Sequence, residues 1–232
     1  RTGQQVVDPR DAYLLTNVLS DREARCLVFS CPGNALELPD RPVAAKTGTT
    51  NDYRDAWTVG YTPDIVAGVW VGNNDNSEMM NVPGSLGAGP IWNAFMTRAH
   101  EGIPVHDFPR PQGIVEREVC VLSGTEPSPY CPDTRREIFS VDNLPPDSSQ
   151  DWIQRVEIDN YTGERANQFC QRNTSEKVMV VLEDVQDSDG RDWLRRWAAE
   201  NGYEIAPQEF CTASAASDQV RILRPQDGAE VY

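Results

Sequence analysis

The sequence predicts an α+β protein in which an antiparallel sheet with packed helices is followed by an irregular extension supported by disulfides. Three observations carry that expectation. Three short β-type runs, around 43–47, 56–61 and 65–71, succeed one another across the turn-forming residues Asn51, Asp52, Pro63 and Asp64, and links this short suit antiparallel neighbours because a parallel return needs a long crossover. Helical stripes lie on either side of the runs. Beyond Pro104 the texture changes, with Pro109, Pro111, Pro127, Pro129, Pro132, Pro145 and Pro146 in a stretch of weak periodicity.

Along the chain, Ala12, Leu15, Val18 and Leu19 recur at helical spacing behind Pro9, so 11–25 reads as an amphipathic helix. Positions 26–42 are rich in Pro, Gly and Asn and read as a loop. In the third β run, Ile65, Val66, Ala67, Val69, Trp70 and Val71 are apolar at both parities, the pattern of a central strand covered on each face. A glycine-rich run, 84–89, leads to Pro90 at a first helical position, and Ile91, Ala94, Phe95 and Ala99 form a stripe that Gly102 stops. A boundary is expected near residue 110. The chain then divides into 1–110, a cysteine-containing extension at 111–217, and 218–232, where Val220 and Ile222 before Asp227-Gly228 read as the start of an unfinished β-sandwich module. Within the extension, 178–182 reads as a strand and 192–201 as a helix ended by Gly202.

Composition bounds the function. Of 232 residues, 39% are apolar and 25% charged, which is ordinary for a globular protein. The formal net charge of −15 argues against nucleic acid or an anionic membrane surface as partner, since both reward clustered Lys and Arg. No window reaches the roughly 18 uninterrupted apolar residues of a membrane helix, and the chain opens on Arg1 without an initiator Met or a signal-peptide pattern, which reads as a processed or excised piece. The cysteines Cys26, Cys31, Cys120, Cys131, Cys170 and Cys211 include no Cys-x-x-Cys pair, and the histidines are only His100 and His106. That argues against a zinc site, and no metal or cofactor is expected. Six cysteines allow 15 pairings. Closure between neighbours would give Cys26–Cys31, Cys120–Cys131 and Cys170–Cys211, with six reduced thiols of a cytosolic protein as the alternative; bridges would indicate an oxidising, extracytoplasmic compartment.

The chemistry concentrates at 44–57, AAKTGTTNDYRDAW. A glycine at 48 lets a ligand backbone approach the strand closely. The Lys46 ammonium supplies a positive field, and the hydroxyls of Thr47 and Thr49 can hold a carboxylate. Alone, Lys-Thr-Gly is a weak signal that also describes a solvated lysine before a turn.

Its surroundings strengthen it. Residues 44–76, AAKTGTTNDYRDAWTVGYTPDIVAGVWVGNNDN, and 84–96, GSLGAGPIWNAFM, resemble the class A penicillin-binding proteins, over roughly residues 10 to 100, with Lys-Thr-Gly as the third signature motif of the serine penicillin-recognising enzymes. The stretch from Val119-Cys120-Val121 to Pro129-Tyr130-Cys131-Pro132 is similar to the extension that follows the transpeptidase domain in a subgroup of them. The resemblance implies a partial transpeptidase fold, like that of the serine β-lactamases, in an enzyme of peptidoglycan cross-linking. In that family a serine of a Ser-x-x-Lys motif attacks peptidyl-D-Ala-D-Ala, expels D-alanine and passes the acyl group to an amine of a neighbouring stem peptide; β-lactams acylate the same serine. Peptidoglycan stem peptides and β-lactam antibiotics are therefore the implied partners, and the cell envelope is the implied location. A parent protein of this kind carries a glycosyltransferase part and a membrane anchor, both absent from this chain. Lys46 and Thr49 are the implied catalytic residues, Lys46 for carboxylate positioning and proton traffic and the Thr49 N–H as an oxyanion donor. Thr47, Gly48, Thr49 and Thr50 are the implied substrate-binding residues.

The nucleophile is not among these residues. Lys46 and Lys177 are the only lysines, with Val43 and Thr174 three positions before them, so there is no Ser-x-x-Lys; nor is there a Ser-x-Asn, the family's second motif. Truncation upstream is the expectation, because the strand, loop and helix after the motif are intact, and a catalytically dead homologue is the alternative. Two readings stand beside the transpeptidase: a non-catalytic envelope-binding module built from 111–232, and a β-lactamase or D,D-carboxypeptidase sharing the Lys-Thr-Gly strand. Asp187-Ser188-Asp189-Gly190 reads as an acidic turn rather than a calcium loop, because the calcium register puts Arg196 where a bidentate Glu belongs. Trp193 and Trp197 read as packing residues and His106 as a surface residue.

Overall fold

Asp8 and Pro9 start the first helix, α1 (Pro9–Ser20): the Asp8 carboxylate accepts from the Arg10 N–H at 2.8 Å, and Pro9 sits where an N–H would have no helical partner. The Arg10 side chain also hydrogen-bonds this carboxylate and, with the backbone bond, holds it down at about 2. The helix ends earlier than the stripe suggests. Asp21 leaves helical geometry and caps a second, five-residue helix, α2 (Arg22–Cys26), by accepting from Ala24 N–H at 3.0 Å. An aspartate is suited to capping because its short carboxylate competes for backbone N–H groups.

The computed structural model describes residues 4–212, so the β-sandwich start expected at 218–232 lies outside the described residues. Two units make up the chain: one comprises residues up to Val115 with Ile138–Asp142, the other Glu116–Glu137 with the residues from Asn143 on.

In the first unit, β1 (Ala44–Thr49), β2 (Asp55–Tyr61) and β3 (Val66–Gly72) form an antiparallel sheet in the order β1-β2-β3. The central strand is β2, not the apolar third run. On β3, Val66 is 72% and Trp70 43% exposed, because the helix that packs on this strand covers only its opposite face. That cover is α3 (Ala88–Ala99), which packs on β2 and β3. Its Trp92 is fully buried and donates from Nε1 to the Ala67 carbonyl at 3.1 Å. Gly60 makes room for the indole, since a Cβ there would lie 2.4 Å from Trp92 Cζ2. Leu36, Leu38, Val43, Ala45 and Met96 complete the core. At the other end of the sheet, the Thr16 hydroxyl of α1 meets Tyr61 Oη at 2.8 Å. Arg25 ties the parts together by donating to the carbonyls of Leu36 (2.6 Å), Leu19 (3.3 Å) and Val43 (3.3 Å), and burial pushes its pKa down.

The extension is more regular than its patterning announces. β4 (Ile114–Cys120) and β5 (Thr134–Ser140) pair as a two-stranded sheet. In the second unit β6 (Ile153–Asp159) and β7 (Thr174–Val180) form an antiparallel pair. One side of it packs through Ile153 and Val180 on Leu194 and Ala198 of α4 (Ser188–Glu200), and the other gathers Val156, Ile158, Met179, Val181 and Ala206. The acidic motif at 187–190 is the cap of α4: Asp187 accepts from the Gly190 N–H at 2.6 Å. Trp197 stacks on Tyr203 with ring centroids 5.5 Å apart, so this tryptophan is a packing residue. Asp151 is fully buried and accepts hydrogen bonds from the hydroxyls of Ser123 and Ser128. Disulfides join Cys26 to Cys31, Cys120 to Cys131 and Cys170 to Cys211, with Cα separations of 5.3, 5.7 and 6.4 Å. These are the pairs that closure between neighbours gives.

Candidate functional site

The Lys-Thr-Gly-Thr segment occupies β1, which among the described residues is an edge of the sheet. An edge strand presents backbone groups that an incoming extended chain can pair with. Alternation along the strand sends its side chains to two faces. Lys46 and Gly48 stand opposite Val59 and Trp57, on the open face that also carries Trp70. Thr47 and Thr49 stand opposite Thr58 and Ala56, both fully buried. A ligand lying along the free edge would therefore meet the ammonium from one side and the hydroxyls from the other.

The individual groups are differently committed. Lys46 is exposed, folds its Nζ onto the Thr47 carbonyl at 2.8 Å, and has no carboxylate partner among the described residues. The Thr47 hydroxyl makes no hydrogen bond among the described residues. The Thr49 hydroxyl accepts from the Gly84 N–H at 3.0 Å and keeps its own proton to donate. Thr50 belongs to the turn: its hydroxyl donates to Asp55 Oδ2 at 3.0 Å and accepts from the Asp55 N–H at 2.8 Å. The other oxygen of Asp55 accepts from Trp70 Nε1 at 2.7 Å, which pins the turn to the far strand.

Gly84 is a member of the site that sequence reading treated only as the approach to a helix. It is strapped beneath β1 between two threonines, donating to Thr49 and accepting from the Thr58 hydroxyl at 3.2 Å. A Cβ at 84 would lie 2.4 Å from the Gly48 oxygen and 2.5 Å from the Trp57 oxygen, so only glycine brings the loop this close. Arg25 was also missed, although its hydrogen bond to Val43 fixes the entry to β1. Nothing local marks either residue, because both contacts join distant parts of the chain. The two histidines lie elsewhere and are structural. His100 is buried between the Thr62 hydroxyl and the Met96 carbonyl, and His106 pairs with Asp64 at 2.9 Å near the surface. The cysteines are all in disulfides.

Residues 110–154 match the family described as penicillin-binding protein 1A, C-terminal domain. The chain is 34% identical over 145 residues to penicillin-binding protein 1A of Pseudomonas aeruginosa, covering 62% of this chain and 17% of that protein. It is likewise 34% identical over 151 residues to penicillin-binding protein 1A of Clostridium tetani, covering 62% of this chain and 18% of that one. The crystal structure of penicillin-binding protein 1A from Haemophilus influenzae superposes with a TM-score of 0.47 at 25% identity, covering 60% of this chain and 21% of that chain. The chain thus spans less than a fifth of the length of these two curated relatives. With its Lys-Thr-Gly strand, its Pro-Ile-Trp helix and these relatives on both sides of residue 110, the chain is similar to penicillin-binding protein 1A over about three fifths of its length.

Proposed function

We propose that β1 is one wall of the active site of a D,D-transpeptidase that transfers the acyl group of peptidyl-D-Ala-D-Ala to an amine of a neighbouring stem peptide in the cell envelope. The observation that carries this reading is the placement of Lys46, Thr47, Gly48 and Thr49 on a strand that, among the described residues, is an edge with no carboxylate paired to the ammonium, the threonines lying on the other face. Lys46 and the Thr47 and Thr49 hydroxyls would hold the substrate's terminal carboxylate. The Thr49 N–H would stabilise the oxyanion that forms as the carbonyl is attacked, a contribution of about 3 kcal/mol for one such donor. Gly48 would let the peptide backbone lie against the strand, and Thr50 with Asp55 would keep the following turn in place. The attacking serine and its Ser-x-x-Lys lysine would come from residues outside this sequence, since no such motif occurs within it.

The three disulfides favour an oxidising compartment, as expected for an enzyme of the cell wall. Among the described residues no helix is long and apolar enough to cross a membrane. Labelled penicillin tests the reading on a longer protein that includes the Ser-x-x-Lys segment. Covalent labelling that depends on Lys46, followed by transfer to an amine acceptor rather than to water, is the expected result. Hydrolysis alone would make the protein a carboxypeptidase or β-lactamase instead.

A further inference from the structure

We propose that, once its disulfide is reduced, the second unit holds a zinc ion on Cys120, Cys131 and Asp151 in place of the bridge. The two sulfurs and a carboxylate oxygen of Asp151 all lie within 4.8 Å of one another. Zinc binds sulfur at about 2.3 Å and a carboxylate oxygen at about 2.1 Å, which sets tetrahedral ligands roughly 3.5–3.8 Å apart. The cluster therefore has the dimensions of a zinc site as soon as the sulfurs are free to part.

Asp151 is the residue that calls for a cation. It is fully buried, and its oxygens accept from the hydroxyls of Ser123, at 2.8 Å, and Ser128, yet no lysine or arginine pairs with it among the described residues. Buried carboxylates are ordinarily paired or bound to a metal. The two hydroxyls orient the carboxylate without bringing charge, which is what groups behind a metal ligand do. The backbone, meanwhile, holds both cysteines without help from the bridge. Cys120 donates to the Thr125 carbonyl at 2.9 Å and accepts from the Gly124 N–H at 2.8 Å, and the Cys131 N–H donates to the Ser128 carbonyl at 3.2 Å. Reduction thus leaves two thiols beside a buried carboxylate.

The exchange balances. A dithiol or phosphine reductant takes the bridge to two thiols and is itself oxidised; Zn2+ then displaces one proton from each thiol, so that two thiolates, one carboxylate and a water complete a tetrahedron. Thiolate ligands select zinc over magnesium or calcium, and the carboxylate selects it over cuprous copper. Cysteine spacing alone carries no zinc signature, because the third donor comes from Asp151, beyond β5. A second trio, Cys26, Cys31 and Glu37, is less buried, and Glu37 is already engaged by Arg22, the Gly33 N–H and Asn34. With zinc in place, the segment between Cys120 and Cys131 stays tied whether its cysteines are oxidised or reduced.

The test uses the 232-residue chain reduced with a phosphine under argon, with cobalt as the spectroscopic probe and zinc as its competitor. One cobalt per chain is expected, with thiolate-to-metal absorption and the strong visible bands of a tetrahedral centre, all lost on adding zinc. Zinc should also protect Cys120 and Cys131 of the reduced chain from alkylation, as read by peptide mass mapping. Replacing Cys26→Ser and Cys31→Ser together should leave cobalt uptake unchanged, Cys120→Ser should abolish the tetrahedral spectrum, and Asp151→Asn should weaken binding by at least about tenfold. No tetrahedral cobalt in the reduced parent, thiols at 120 and 131 that zinc leaves unprotected, or uptake that survives Cys120→Ser overturns the site. An Asp151→Asn chain that binds like the parent overturns the carboxylate as the third ligand.

Discussion

Replacing Gly84 by alanine tests whether the strap beneath β1 supports the site. The new Cβ would stand 2.4 Å from the Gly48 oxygen, against about 3.4 Å for ordinary contact, and 2.5 Å from the Trp57 oxygen. Both atoms are backbone, so the loop itself has to retreat by about 1 Å. A retreat of that size stretches the Gly84–Thr49 bond from 3.0 Å and the Thr58–Gly84 bond from 3.2 Å beyond hydrogen-bonding range. Two bonds at about 1 kcal/mol each and packing strain of about 1–3 kcal/mol are offset by up to about 1 kcal/mol from the stiffer unfolded chain. The net loss is about 2–5 kcal/mol. Urea unfolding followed by tryptophan fluorescence measures it, with Gly68→Ala as control, where the added Cβ meets only Val59 Cγ2 at 3.5 Å. A Gly84→Ala variant as stable as Gly68→Ala would refute the strap.

Three further outcomes follow from the same geometry. The Asp8 carboxyl should titrate near 2 by NMR rather than at its ordinary 3.8, so its contribution to α1 is present above pH 3.8 and disappears as pH falls through 2; a midpoint near 3.8 would contradict the Arg10 contacts. Mass spectrometry of the non-reduced protein should find no alkylatable thiol, and removing Cys170–Cys211, which closes a separation of 41 residues, should cost about 4 kcal/mol on the chain-entropy account. Asp187→Ala should cost about 1 kcal/mol through loss of the α4 cap, with no response of the parent protein to calcium; calcium-dependent melting would restore the ion-loop reading.

The strand at 44–49 was legible because one motif and one alternation coincide there. Helix α3 was legible only in outline: it starts at Ala88, two residues before Pro90, and buries Trp92 and Met96, while Ile91 and Phe95 of the expected stripe are exposed. The strap was not legible: Gly84 reads as a helix approach, and its need to be glycine arises from contact with Gly48, far away in sequence. The third run misled for a different reason. Apolar residues at both parities usually mean two covered faces, yet Val66 and Trp70 remain exposed among the described residues. In the extension, β5 (Thr134–Ser140) begins Thr134-Arg135-Arg136-Glu137, which has no apolar face to announce a strand and is held by pairing with β4. The long helix expected at 11–25 breaks at Asp21 because a capping carboxylate outweighs a continuing stripe.

The most direct test of the transpeptidase reading is the second-order rate constant for acylation by labelled penicillin in a longer protein that supplies the Ser-x-x-Lys segment, compared with its Lys46→Ala variant. Loss of the ammonium from a partly dry cleft should cost on the order of 3 kcal/mol, a rate lower by about a hundredfold, with the melting curve unchanged because Lys46 is exposed and bonds only a neighbouring carbonyl. The 232-residue chain on its own should take up no label. A Lys46→Ala variant acylated at the parent rate, or stoichiometric labelling of the 232-residue chain, would contradict the assignment of β1 as a wall of the active site.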